Sequence, residues 1–314
     1  MSRPPFLDLP AGARAYRLST ARGEFAVQEC GAPERGTALL LPGFTGSKED
    51  FIGLLAPLAD AGFRAVAVDP RGQYETGGPD SEQAYAQSEL ALDALALAGA
   101  LTTAGEPGAA ATVPGSPPHL LGHSLGGLVA RAAALRAPER FASLTLMSCG
   151  PAAVSASQQQ RVTLLLSALG SMSMEAVWQA MRELDQSPAE AGQAPYPDGA
   201  GPDGPGARVP PDIDAFLRRR WLANVPAQLV AGGRQLIGEP DRTDELAALP
   251  LPVHVVSGSV DDAWPVPQLD AMALRLGARR SAVPGTGHSP NAERPRTTAE
   301  ALTAFWRELS PCPG

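Results

Sequence analysis

Three cysteines in 314 residues, Cys30, Cys149 and Cys312, are too few, too scattered and odd in number for a disulfide framework, and their spacing fits no metal site. They are expected to be free thiols in a reducing cytoplasm. No run of 18 apolar residues occurs, so no membrane span is expected. The opening stretch, Met1-Ser2-Arg3-Pro4-Pro5-Phe6-Leu7-Asp8, lacks the apolar core of a secretory leader. Basic charge is short: 25 Lys and Arg stand against 33 Asp and Glu, a net charge of −8. A phosphate-binding face needs clustered cations, so nucleic acid is excluded as a partner, as is charge-driven docking on an anionic membrane. Histidine is scarce too, with four in the chain, which narrows the search for a general base.

What remains is ordinary for a globular protein: 44% hydrophobic and 18% charged residues, rich in glycine and proline, in a chain long enough for one large domain with an insertion. Short apolar runs at 38–41, 64–69, 117–121, 143–147, 253–256 and 280–283 read as buried strands. Helical patterns at 48–61, 82–101, 127–136, 267–276 and 297–309 alternate with them. That alternation predicts an α/β fold with a mostly parallel sheet flanked by helices, whose ligand site lies at the carboxyl ends of the strands. Residues 151–238 break the rhythm, with helical patterns at 158–169, 173–184 and 212–222 around a Pro/Gly-rich loop at 186–211. A segment so long between two strands reads as a helical cap inserted into a core made of 1–150 and 239–314.

Gly122-His123-Ser124-Leu125-Gly126 joins a strand to a helix. A serine on such a sharp turn is pushed out of the sheet, and the flanking glycines remove side chains that would clash. A hydroxyl is a weak nucleophile and needs a base. His119 and His123 sit on the approach to the turn, and His254 lies inside an apolar strand as a core histidine would. His288 is placed differently, on the Gly-rich loop Pro284-Gly285-Thr286-Gly287-His288-Ser289-Pro290 directly after a strand, and is the expected base. The base needs an orienting carboxylate. Asp261 and Asp262 both follow the 253–256 strand; Asp261 is preferred, and Asp262 stays open as the acid or as a cap of the next segment. The oxyanion donors expected are the backbone N–H of Leu125, just after the serine, and that of Phe44 in Leu41-Pro42-Gly43-Phe44-Thr45-Gly46-Ser47.

Taken together, Leu41-Pro42-Gly43-Phe44, Asp69-Pro70-Arg71-Gly72, Gly122-His123-Ser124-Leu125-Gly126-Gly127, Gly258 with Asp261 and Pro265, and Gly287-His288 with Glu293 and Pro295 resemble the α/β-hydrolase family in its capped esterase and lipase-like branch. The resemblance runs from about 36 to 309. It implies the α/β-hydrolase fold, a Ser-His-Asp acyl-enzyme mechanism and no cofactor. One departure is Pro42, where many relatives carry histidine in a His-Gly pair. Ser124 sets the chain apart from relatives with aspartate or cysteine at the nucleophile. Asp69 and Arg71 match a motif that braces loops, and Cys149 is expected in the core.

The insertion would set the substrate. Met172, Met174, Val177, Trp178 and Met181, with Trp264 on the acid loop, suggest an apolar pocket, and Trp178, Trp264 and Met174 are its expected lining; packing within the cap itself is the competing use. Arg218-Arg219-Arg220 reads as a solvated face, with carboxylate binding as the alternative. The expected partner is a small-molecule ester of small to medium size, largely apolar, or else a thioester carried by CoA or a carrier protein. Carbon–carbon or amide cleavage stays open, as does a non-catalytic binding module on the same fold.

Overall fold

The computed structural model describes residues 2–102, 116–185 and 209–309. Among these, eight strands form one sheet in the order β1-β2-β4-β3-β5-β6-β7-β8. The strands are β1 (Arg14–Thr20), β2 (Gly23–Cys30), β3 (Gly36–Leu41), β4 (Phe63–Val68), β5 (His119–His123), β6 (Ser143–Met147), β7 (Val253–Gly258) and β8 (Arg279–Val283). From β4 to β8 every neighbouring pair is parallel. The hairpin β1–β2 adds an antiparallel edge against β4.

The helices that cover the sheet are α1 (Ile52–Asp60), α2 (Gln87–Thr102), α3 (Leu125–Arg136), α9 (Val266–Leu276) and α11 (Pro295–Leu309), with a short α10 at Pro290–Glu293. One face of the sheet packs against α2, α3 and α9 through residues such as Leu97, Leu128 and Leu269. The other packs against α1 and α11 through Leu55, Leu58, Leu302 and Trp306. In α11 the buried positions Thr298, Ala299, Leu302, Phe305 and Trp306 recur at three- and four-residue spacing, as one stripe of a helix must. Trp306 stacks on His119, rings 5.2 Å apart, and that histidine also bonds Ser143 Oγ at 2.8 Å. His119 and His254, the latter bonded to Ser281 Oγ at 2.9 Å, are core histidines. Burial pushes their pKa values down to about 4 and about 3.

Between β6 and β7 the chain adds α4 (Ala156–Leu169), α5 (Met174–Asp185), α6 (Pro211–Ala223), α7 (Pro226–Gly238) and α8 (Thr243–Ala247). Residues 186–208, most of the expected loop, lie outside the described residues, as does Cys312, and α6 begins at Pro211. Several features differ from the sequence reading, the short helices α8 and α10 among them. The β1–β2 hairpin and α7 were not anticipated, and β5 spans 119–123 where 117–121 was expected. The strand is shifted forward because Gly122 and His123 pair with Leu146 and Met147 of β6, which carries the elbow to the very end of the strand.

Candidate active site

Ser124 sits between β5 and α3 with φ 54° and ψ −120°. A left-handed backbone at a non-glycine residue costs roughly 1–2 kcal/mol, held here by the structure around it. Its N–H donates to the Met147 carbonyl at 2.9 Å. A Cβ at Gly122 would run into the Gly126 carbonyl, and one at Gly126 into the Pro42 and Leu41 carbonyls. Both glycines are therefore needed for strand, helix and neighbouring loop to close around the serine.

His288 stands on the loop after β8, and its Nε2 lies 3.0 Å from Ser124 Oγ. On its other side, Nδ1 lies 3.0 Å from both carboxylate oxygens of Asp261, on the loop after β7. Asp261 Oδ1 also accepts the N–H groups of Ala263 and Trp264 at 2.9 and 3.1 Å. Asp262 makes no hydrogen bond to the histidine and is engaged elsewhere: its carboxylate accepts from Gln158 Nε2 at 2.6 Å, and its carbonyl from Ser155 Oγ. Of the two aspartates, then, Asp261 meets the histidine. Burial disfavours the charged form of each partner, but the Asp261 charge and hydrogen bond outweigh it and raise the His288 pKa above 6.5. The same contact, with the two backbone donors, overcomes burial of Asp261 and holds its carboxyl below 3.8.

Other groups fix the histidine loop. His123 donates through Nε2 to the His288 carbonyl at 2.8 Å, and burial beside His288 drives its own pKa down to about 3, so it stays neutral. Glu293 accepts from the N–H groups of Gly287 and Ser289 at 2.7 and 3.1 Å. The Trp264 ring lies 6.2 Å from the His288 ring and its indole N–H donates to the Ala152 carbonyl at 2.8 Å. Ligand atoms of Asp261, Asp262 and His288 lie within 4.8 Å of one another, a grouping a metal could use. Two of the three already serve the Ser124 arrangement, which is why the cluster belongs to this site.

The loop after β3 closes the site from the β4 side. A Cβ at Gly43 would stand 3.0 Å from Ser124 Cβ, so this backbone lies directly against the serine. Gly46 N–H donates back to the Gly43 carbonyl at 3.0 Å, forming a turn in which Thr45 takes φ 59°, a rare conformation for a β-branched residue. Gln73, absent from the sequence reading, donates through Nε2 to the carbonyls of Gly43 and Gly46, both at 3.0 Å. Leu125, the other expected donor residue, is the first residue of α3. Lys48, the chain's single lysine, lies just beyond the loop and is buried against Asp69, Glu49 and Glu75 at 2.7–2.9 Å. Burial opposes its charge, but the three carboxylates prevail and raise its pKa. Asp69 also accepts Lys48 N–H at 2.8 Å, and Arg71 pairs with Asp93 at 2.5 Å, so both brace loops.

The insertion has its own core of Val177, Trp178, Ile213, Phe216, Leu217, Trp221 and Leu229, against which Met174, Met181 and Phe44 pack. Trp178 and Met174 thus lie in that cluster, Trp264 lies beside His288, and Met172 is exposed. The arginine run is a solvated face at Arg218 and Arg219, which are exposed, but not at Arg220. Arg220 is fully buried and pairs with the equally buried Asp50 at 2.6 Å, donating also to the Ser2 carbonyl. Arg218 does reach an exposed partner, Glu175, at 2.6 Å. A helix that packs against a neighbour on one side buries whichever residue of a charge run falls there, and the run alone does not say which.

A profile described as Alpha/beta hydrolase family matches residues 38–301 of the chain. The chain belongs to the α/β hydrolase family. It is an enzyme of the hydrolase class, and its fold agrees. A thermophilic esterase from Thermogutta terrifontis superposes with a TM-score of 0.68 at 21% identity, over 95% of this chain and 99% of that one. Two relatives are similar in sequence over shorter stretches. A candidate carbamate hydrolase, RutD, from Variovorax paradoxus (strain S110) is 35% identical over 123 residues, 38% of this chain and 41% of that protein. Pimeloyl-[acyl-carrier protein] methyl ester esterase from Aeromonas hydrophila subsp. hydrophila is 28% identical over 191 residues, 60% of this chain and 69% of that protein. The match to the first of these spans less than half of that protein's length. No helix among the described residues is long and apolar enough to cross a membrane.

Proposed function

We propose that this hydrolase cleaves a carboxylic ester of small to medium, largely apolar character through an acyl-enzyme on Ser124. The observation that carries the reading is the unbroken chain Ser124 Oγ, His288 Nε2, His288 Nδ1, Asp261 carboxylate, with 3.0 Å at each step. His288 takes the hydroxyl proton as Ser124 Oγ bonds to the ester carbonyl carbon. The carbonyl oxygen becomes an oxyanion, held by the Leu125 and Phe44 backbone N–H groups. On collapse, His288 gives the proton to the departing alkoxide and the alcohol leaves. Water, deprotonated by His288, then attacks the acyl-enzyme; the acid leaves and Ser124 recovers its proton. Asp261 fixes the ring with Nδ1 as donor and stabilises the imidazolium.

In this reading residues 151–238 act as a cap over the strand ends, Trp264 beside His288 supplies apolar surface next to the serine, and Trp178 and Met174 serve by packing the cap's own core. A relative that is a methyl ester esterase supports an oxygen ester as substrate. The test is a panel of p-nitrophenyl and methyl esters of rising acyl length, set beside acyl-CoA thioesters, on wild type and Ser124→Ala. Turnover of oxygen esters that vanishes in Ser124→Ala is the expected result. Turnover confined to thioesters would reassign the leaving group, and turnover that survives in Ser124→Ala would remove the serine from the mechanism.

A further inference from the structure

Gln73 is buried, carries no role in the mechanism just described, and spends both of its amide hydrogens on the turn that faces Ser124. Both partners are carbonyls, so the nitrogen must be the atom facing them. The Gly43 carbonyl is therefore doubly held, by Gly46 N–H and by Gln73. In a trans peptide the carbonyl and the following N–H point in opposite directions, and the described chain has no cis bond. Fixing the Gly43 carbonyl on Gln73 thus aims the Phe44 N–H away from Gln73.

The backbone around Gln73 is itself unusual. Gly72 has φ 77° and Tyr74 has φ 42°, so a left-handed residue stands on each side of it. Each is tied to the insertion at the junction of α6 and α7: Val225 N–H donates to the Gly72 carbonyl at 2.9 Å, and Tyr74 N–H donates to Asn224 Oδ1 at 3.2 Å. Asn224 is buried, and its Nδ2 donates to the Arg220 and Trp221 carbonyls at the end of α6. Gly72 takes this conformation freely, but Tyr74 is strained in it and keeps it only where its surroundings hold it.

We propose that Gln73 is a positioning residue that aims the Phe44 N–H at the oxyanion, and that Asn224 couples its placement to the inserted helices. This rests on the acyl-transfer reading above. It makes oxyanion stabilisation depend on how the insertion seats against the 72–74 loop, with no part of the insertion touching the oxyanion.

The test compares wild type with Gln73→Met, which keeps the length of the side chain and loses both donors. Steady-state hydrolysis of a p-nitrophenyl ester is read together with inhibition by a trifluoromethyl ketone of the same acyl length, whose hemiketal oxyanion occupies the same hole. Removing an oxyanion donor outright costs about 100- to 1000-fold. A misaimed donor is expected to cost between about 10- and 100-fold in kcat, with KM within about twofold. The ketone's inhibition constant is expected to rise by the same factor as kcat falls. The pH midpoint of kcat/KM stays in place, because His288 and Asp261 are untouched. A folded Gln73→Met with kcat and ketone affinity within about twofold of wild type overturns the inference; so does a loss that appears in KM alone or with a moved midpoint, which marks general distortion. Should Gln73→Met fail to fold, Asn224 decides. Asn224→Leu is expected to show the same paired loss of kcat and ketone affinity, and Asn224→Asp, which keeps an oxygen for Tyr74 N–H, to lose less. Equal behaviour of the two overturns the coupling. A wild type that hydrolyses no ester and takes no label at Ser124 fails at the earlier step, and that outcome is separate from all of these.

Discussion

His288 is held at both ring nitrogens, by Asp261 and by Ser124, and the balance around it fixes its working pH. Its pKa is raised by Asp261 against the opposing pull of burial. The ring accepts the Ser124 proton only when neutral, so kcat/KM is expected to rise with pH through one midpoint above 6.5 and to fall away below it. A pH profile with an oxygen ester checks this, and a midpoint below 6.5 would contradict it. The same shifts carry a stability statement of opposite sign for each partner. The His288 contribution is present below 6.5 and lost as pH rises through its raised folded value; the Asp261 contribution is present above 3.8 and lost as pH falls through its depressed one. Asp261→Asn is expected to lower kcat by roughly 10⁴-fold, since the amide no longer holds the ring in the Nδ1–H tautomer or stabilises the imidazolium. Asp262→Asn, which gives up the contact to Gln158 and a negative charge that helps raise the His288 pKa, is expected to stay within about threefold of wild type in the same assay, with its pH midpoint moved slightly down. At this scale the sequence was informative where chemistry is written into local patterns. Ser124 lies on a glycine-flanked turn, and Asp261 and His288 each lie on a loop after an apolar strand. Gln73 was invisible because its partners are two backbone carbonyls about thirty residues away, and no residue type announces where a carbonyl points.

At the scale of elements, helix α6 is fastened to the core by a buried ion pair. Asp50 and Arg220 are both shielded completely from solvent. Removing one partner leaves the other charged and unpaired, so Arg220→Met is expected to cost about 3–5 kcal/mol, read by urea unfolding, and pairing it with Asp50→Leu is expected to restore most of that. A cost under about 1 kcal/mol would show that the pair is not buried in solution. Helix α7 was missed for a related reason. Gly232 and Gly233 lower its helical propensity, yet they are what lets it sit close: a Cβ at Gly232 would press on Leu125 and Phe44, and one at Gly233 on Leu166. Residues chosen for contact look like residues that break helices when read without the partner. The β1–β2 hairpin was missed because β1, on the sheet edge, has only Leu18 buried and so offers little apolar signal.

Across the whole molecule, one sheet gathers the site. Gly43, Asp69, Ser124, Asp261 and His288 follow β3, β4, β5, β7 and β8 respectively, each just past the carboxyl end of its strand. Alternation of strands and helices along the chain was enough to foresee that gathering, and the family match from 38 to 301 agrees with it. Strand order, and the seating of the inserted helices on the 72–74 loop, were not legible, because both depend on pairings between distant segments. The ties at Arg220, Asn224 and Val225 join insertion and core. Thermal unfolding is therefore expected to be one cooperative transition by both tryptophan fluorescence and far-ultraviolet circular dichroism, since Trp178 and Trp221 report from the insertion and Trp264 and Trp306 from the core. Two separated transitions would mean that the insertion melts on its own.

The central claim is an activated serine at the turn between β5 and α3, and fluorophosphonate labelling read by intact mass tests it most directly. The account predicts one adduct per chain on the wild type and none on Ser124→Ala. A folded wild type that takes no adduct, or a Ser124→Ala variant that still takes one, would contradict it.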